Sequence, residues 1–246
     1  MTPSLRAFIL RSVGCRRQSP RLRMSQAGSN CVRQTYYEAT GAEREPDTEE
    51  GAVKMALGTA FDEYSLQNAP QALHEEELTL TQKTVTIKAG DLTLTGHADL
   101  VFVGKKGPVH VGDLKVVGEK TWEKVQERPK QEHQAQVNLY AFGLGCSTWS
   151  VCYVRAGTGE ILEHYGATDD FAARRDLGMF EEAAYWIGKG VPPPRPYEDF
   201  EEEDGTVKRA RDSFPCGWCK FNDHCWGARD ASPRKGENHG KPVPGA

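Results

Sequence analysis

The stretch "VHVGDLKVV", residues 109–117, decides the fold. Valines recur on alternate positions and a proline-containing turn precedes it, the pattern of a buried β-strand. Asp113 and Lys115 interrupt that pattern two residues apart, so on a strand both project from one face. Two charges beside a core are costly unless something pairs with them. Alone, D-x-K also reads as an ion pair on the open face of a sheet. The hairpin through "GKKGP" changes the balance. If Val103 sits opposite Val109, then Val101 faces Val111 and Asp99 faces Asp113, with Cβ atoms about 5 Å apart. Like charges so placed call for a cation between them. Carboxylates without thiolate or imidazole suit a hard divalent ion such as Mg²⁺. Lys115, one step along, is placed to orient or activate a water and to offset charge on a phosphorane-like transition state. The expected chemistry is metal-dependent phosphodiester hydrolysis.

Outward from the hairpin, the chain alternates in period. "EGAVKMALGTAFDEY" sets Val53, Leu57, Ala60, Phe61 and Tyr64 at helical spacing. "EELTLT", "KTVTIKA", "LTLTGHADLVFV" and "PVHVGDLKVV" read as an antiparallel meander turning at "AGD" and "GKKG". Residues 129–145 return to helical period, with Pro129 near the start and Gly145 near the end. "WSVCYVRAG" and "EILEHYGA" read as a second strand pair. A long amphipathic helix follows, capped by Asp169 or Thr168 and ended by the prolines at 192–194. The expected class is α+β or mixed α/β: a central, mostly antiparallel or mixed sheet flanked by helices. No internal repeat is present.

Composition bounds the rest. The 246 residues suffice for one substantial domain. No apolar run is long enough to span a bilayer. The formal net charge of −4 argues against a protein that coats nucleic acid, though not against local contact with a phosphate backbone. Residues 1–24 are rich in arginine and carry no acid. They read as a disordered basic arm, as the product of an upstream start, or as a transit peptide. The expected layout is that arm, a domain over 25–228, and a flexible tail over 229–246. The expected location is the cytoplasm, or the mitochondrion if the arm is a transit peptide.

Seven cysteines, an odd number without a secretory signal, point to metal or cluster ligation rather than disulfides. "FPCGWCKFNDHCWG" groups Cys216, Cys219 and Cys225. The fourth ligand is Cys31 or, for a zinc site, His224; adjacency to Cys225 makes His224 awkward, and Cys31 is preferred. Cys146 and Cys152 read as core thiols, and Cys15 falls in the arm. On the helix over 129–145, His133, Gln136 and Tyr140 share one face.

With these residues in hand, the chain resembles the PD-(D/E)XK nuclease superfamily, in particular its RecB-like iron–sulfur exonucleases of the CRISPR-associated and phage type. "GHAD" carries Asp99 where that family has its first acidic ligand, and "GDLK" carries Asp113 and Lys115 in the D/E-x-K positions. The resemblance implies Asp99, Asp113 and Lys115 as catalytic residues, and the Leu114 carbonyl as a further metal ligand. Gln136 and Tyr140 match the Q-x₃-Y motif thought to contact DNA. Cys31, Cys216, Cys219 and Cys225 match the split set that holds a [4Fe–4S] cluster. In "LGTAFDEY" the usual histidine is replaced by Asp62, a carboxylate that would still ligate a metal. The activity implied is a Mg²⁺- or Mn²⁺-dependent DNA exonuclease acting on single-stranded ends, with recombination or CRISPR adaptation proteins as partners. Lysines 105, 106, 120, 124 and 130 are candidate phosphate contacts. The rival reading is a non-catalytic DNA-binding or assembly subunit that keeps the fold as a scaffold.

Overall fold

A computed structural model describes residues 5–14, 20–29, 31–72, 78–89, 91–203 and 207–227. Along the chain run α1 (Leu5–Gly14), α2 (Val32–Thr40), α3 (Glu49–Ala72), β1 (Leu78–Ala89), β2 (Leu92–Gly104) and β3 (Gly107–Val117). Then come α4 (Glu119–Lys124), α5 (Gln131–Leu144), β4 (Thr148–Arg155), β5 (Ile161–Ala167), α6 (Asp170–Lys189) and, near the end, α7 (Asn222–Trp226). The class is mixed α/β. The chain divides into two compact units: Met1–Arg21 with Asn30–Ala56 and Trp186–Ala246, and Leu22–Ser29 with Leu57–Tyr185.

The second unit holds a five-stranded sheet in the order β1-β2-β3-β4-β5. β1, β2 and β3 form the expected antiparallel meander, and β4 and β5 the expected antiparallel pair. β3 and β4 are parallel, because the chain crosses over through α4 and α5 between them. Val111 and Val117 of β3, Val151 and Tyr153 of β4, and Val137, Leu139 and Ala141 of α5 share one core. Alternation therefore puts Asp113 and Lys115 on the core-facing side of β3. α5 can lie close to β1 because residue 143 is glycine: a Cβ there would stand 2.7 Å from Val85 Cγ1 and 2.8 Å from Ile87 Cγ1. Asp169 caps α6, its Oδ1 accepting from Ala172 N at 2.9 Å.

Two expectations need correction. Val103 pairs with Pro108 rather than Val109, with a bulge between Phe102 and Val103. The two-residue turn at Lys105 and Lys106 sets Gly104 against Gly107, and Val109 takes up the extra residue before Val101 meets Val111. Secondly, "LTLT" (78–81) and "KTVTIKA" belong to a single strand, β1, kinked at Gln82 with φ +49°. In α3, Leu57 and Tyr64 are largely exposed, while Ala52 and Leu66 are buried.

The basic arm also contributes structure. α1 lies within it, and Leu22, Met24 and Ala27 join the core of the second unit, Met24 being fully buried. Cys15 and the tail over 229–246 lie outside the described residues.

The first unit has its own small core of Tyr36, Tyr37 and Phe221, with Trp186, Ile187, Cys219 and Cys225 packed on it. Its early and late segments are stitched together by Glu45 N donating to Lys220 O at 2.7 Å and by an Asp47–Lys220 ion pair.

Candidate functional site

β2 and β3 stay paired as far as Leu100 and Gly112 and part at the next step. Asp99 therefore does not sit in a ladder pair with Asp113. Instead its carboxylate replaces the missing strand acceptor, with Oδ2 accepting from Leu114 N at 2.9 Å. Its Oδ1 accepts from Gln82 Nε2 at 3.0 Å. Asp113, only 2% exposed, meets Lys115 Nζ at 2.7 Å through Oδ2. Burial pushes the Asp113 carboxyl up to about 6, against the pull of Lys115 and with help from Asp99 and Asp62. Burial also works against the Lys115 charge, but Asp113, Asp99 and Asp62 outweigh it and hold the ammonium above its ordinary value.

Asp62 reaches the same group from α3. Burial, then Asp99, pushes its carboxyl up to about 6, while Lys115 pulls the other way. Its Oδ1 is buried with no hydrogen-bond partner. Three carboxylates thus share one lysine, an excess of negative charge in a place poor in water. Among the described residues, no three His, Cys, Asp or Glu side chains are drawn together as ligands of a single ion. In this geometry the Lys115 ammonium is the cation that Asp113 faces.

α5 supplies the facing wall. Gln136 Nε2 donates to the Tyr140 hydroxyl at 2.9 Å. Tyr140 is 3% exposed, so its ring is packing rather than surface, and burial raises its phenol. Gly96 makes room for it: a Cβ there would lie 2.6 Å from Tyr140 Cε1. His133 Nδ1 lies 2.9 Å from the hydroxyl of Tyr153, which neighbours Lys115 across the parallel ladder. Lys130 N donates to that hydroxyl at 3.1 Å. Burial, reinforced by Lys115, lowers His133 to about 4 and keeps it neutral. Lys105, Lys106, Lys120 and Lys124 are exposed, while Lys130 is half-buried and 3.2 Å from Glu132.

Gln82 and Tyr153 are the members of this group that sequence reasoning missed. Tyr153 could have been found as the residue on β4 level with Lys115. Gln82 carries one weak signal: it falls between two segments that each alternate cleanly.

In the first unit, Cys31, Cys216, Cys219 and Cys225 line one pocket. His224 is not among the lining residues; its ring sits edge-on to Tyr37 at 4.8 Å. Cys31 is the N-cap of α2, its Sγ accepting from Gln34 N at 3.4 Å. Burial raises the Cys31 thiol, with Cys216 and Cys225 adding to the effect. Burial pushes Cys219 up to about 11, and the three other thiols add to it. Asn222 holds the late segment in shape, its Nδ2 donating to Arg211 O and Cys216 O, each at 2.7 Å. The other described cysteines stand apart: Cys146 is buried, and Cys152 only half-buried in β4.

No family model matches the chain. No curated protein matches it by sequence. Among solved structures it is similar to SSO0001, with a TM-score of 0.52 and 14% identity over 94% of this chain and 100% of that one. At that identity the likeness speaks for the fold. An alkaline exonuclease from Laribacter hongkongensis aligns with a TM-score of 0.46 and 12% identity, over 70% of this chain and 93% of that one. Its complex with dAMP aligns at 0.43 and 13%, over 65% and 83%. Both alignments are too distant to carry an argument about activity.

Proposed function

We propose that the chain is a divalent-metal-dependent DNA exonuclease acting on single-stranded ends. One observation carries the reading: Asp113 pairs with Lys115 at 2.7 Å, Asp62 and Asp99 act electrostatically on the same pair, and Asp62 Oδ1 is buried and unpartnered. All-oxygen donors of this kind suit Mg²⁺ or Mn²⁺, with the Leu114 carbonyl as a further ligand. The resemblance to PD-(D/E)XK nucleases in "GHAD" and "GDLK" supports the same residues. When bound, the ion supplies Lewis-acid polarisation of the phosphate and a more acidic water.

The chain's own groups do the rest. The Lys115 ammonium offsets charge that develops on the phosphate in the transition state. Asp113 keeps that ammonium beside the reacting group. Gln136, its amide fixed by Tyr140, contacts the strand. Lysines 105, 106, 120 and 124 attract the phosphate backbone.

We further propose that Cys31, Cys216, Cys219 and Cys225 hold a [4Fe–4S] cluster. Four thiols around one pocket fit such a group better than Cys₃His, since Cys31 lines the pocket and His224 does not.

The test is release of nucleotides from end-labelled single strands with Mg²⁺, with Mn²⁺ and with chelator. Metal-dependent release that is lost in Asp113→Asn supports the enzyme. Metal-independent binding without release would leave a non-catalytic DNA-binding subunit.

A further inference from the structure

Gln82 lies in the middle of β1 with φ +49°, and among the described residues it alone, glycines apart, has a positive φ. A strand does not require the left-handed region, and a glutamine gains little from it. The β1–β2 ladder skips the same level. Thr81 pairs with Leu100 and Lys83 with Ala98, while Gln82 and Asp99 face each other unpaired. Both strands also change which parity faces the core at this point. In β1, Leu80 gives way to Val85 and Ile87; in β2, Leu94 and Ala98 give way to Val101 and Val103.

The distortion has one visible product. Gln82 donates to Asp99 Oδ1 from β1, while Leu114 donates to Oδ2 from β3 on the other side. An ionised carboxylate has about four lone-pair positions, so two donors fix its plane and leave acceptor capacity for an ion. Unusual backbone is kept where the surrounding structure enforces it, and such places cluster at functional sites.

We propose that Gln82 is a positioning residue that holds the Asp99 carboxylate for a divalent cation. The proposal rests on the metal-site reading above. An amide suits the task because it donates without titrating, and a carboxylate in its place would add to the negative charge already gathered.

The experiment is calorimetric titration of Mn²⁺ into the full chain, comparing the wild type with Gln82→Ala, Gln82→Gly and Asp99→Asn. Losing an outer partner of a metal ligand typically weakens metal affinity about 10–100-fold, and that loss is expected for Gln82→Ala. Gln82→Gly should lose as much affinity while its thermal midpoint stays at or above the wild-type value, because glycine accepts the left-handed backbone. That pairing separates the hydrogen bond from general stability. Unchanged Mn²⁺ affinity in both Gln82 variants, with binding lost in Asp99→Asn, overturns the role of Gln82 and leaves the metal site standing. Wild-type Mn²⁺ binding by Asp99→Asn removes the ion from Asp99, and both readings fall together.

Discussion

Asp113 and Asp62 carry the chemistry of the site in their titration. Each has its carboxyl raised from an ordinary 3.8 to about 6, chiefly by burial. In an acid raised in this way the folded state binds protons more tightly than the unfolded state does. The favourable contribution is therefore complete below pH 3.8 and lost as pH rises through about 6. In chelator, the urea midpoint should fall between those pH values, and Asp113→Asn should flatten the decline. Mg²⁺ should restore stability mainly at the upper end, where the carboxylates are ionised and free of competing protons. A midpoint that rises with pH across this interval would contradict the assignment. Lys115 gives a second prediction at the same scale. Its charge acts mainly on the transition state, so Lys115→Ala should lower kcat by roughly 10²–10³-fold and DNA affinity far less. Equal losses in single-turnover rate and in equilibrium binding would make it a phosphate contact only. Asp113 and Lys115 were legible in the sequence because strand alternation assigns faces without reference to distant residues, whereas Asp99 was reached through a hairpin register whose last pair does not form. Gln82 was not, since a left-handed residue in a strand leaves no compositional mark unless it is glycine or asparagine.

Among the elements, the site exists because β2 and β3 separate after Leu100 and Gly112. The gap lets one carboxylate take a backbone donor from β3. The meander, the helix over residues 129–145 and the pairing of β4 with β5 were readable from period alone. The bulge at Val103 was not, because hairpin register depends on turn geometry as well as on hydrophobic alternation. α3 was readable as a helix, but helical spacing of Leu57, Phe61 and Tyr64 identifies a stripe and not what covers it. Gly96 offers a prediction about how these elements fit. Its missing side chain seats the Tyr140 ring, which in turn orients Gln136. Gly96→Ala forces a contact of 2.6 Å unless the ring moves. The expected cost is about 1–3 kcal/mol, read from urea unfolding. Near-ultraviolet circular dichroism should change with it as the tyrosine is displaced. An unaltered spectrum and midpoint would mean that β2 gives way instead.

On the scale of the whole molecule, the chain leaves its first unit at Ala56 and returns to it at Trp186, with Leu57–Tyr185 in the second unit between. Cys31 belongs to the early segment, and Cys216, Cys219 and Cys225 to the late one, yet all four line a single pocket. The three late thiols were evident from spacing, whereas the partnership with Cys31 rested on a family pattern, because contacts that distant in sequence leave no local signature. A group bound by all four closes a loop spanning most of the chain and restricts the unfolded ensemble as a cross-link would. By loop-closure arithmetic such a link contributes on the order of 4–5 kcal/mol. Protein purified without oxygen should therefore be brown and absorb at roughly 400 nm, where thiolate-bound iron–sulfur clusters absorb. Replacing any of the four by alanine should bleach that band and lower the urea midpoint. Cys146→Ala and Cys152→Ala should leave the band intact, because those thiols are not among the residues lining the pocket. Two results would overturn the assignment: colourless protein that contains zinc, or a Cys31→Ala variant that keeps its full complement of iron and sulfide. In the second case another side chain completes the ligand set, and early and late segments keep their small core, the Glu45–Lys220 hydrogen bond and the Asp47–Lys220 pair.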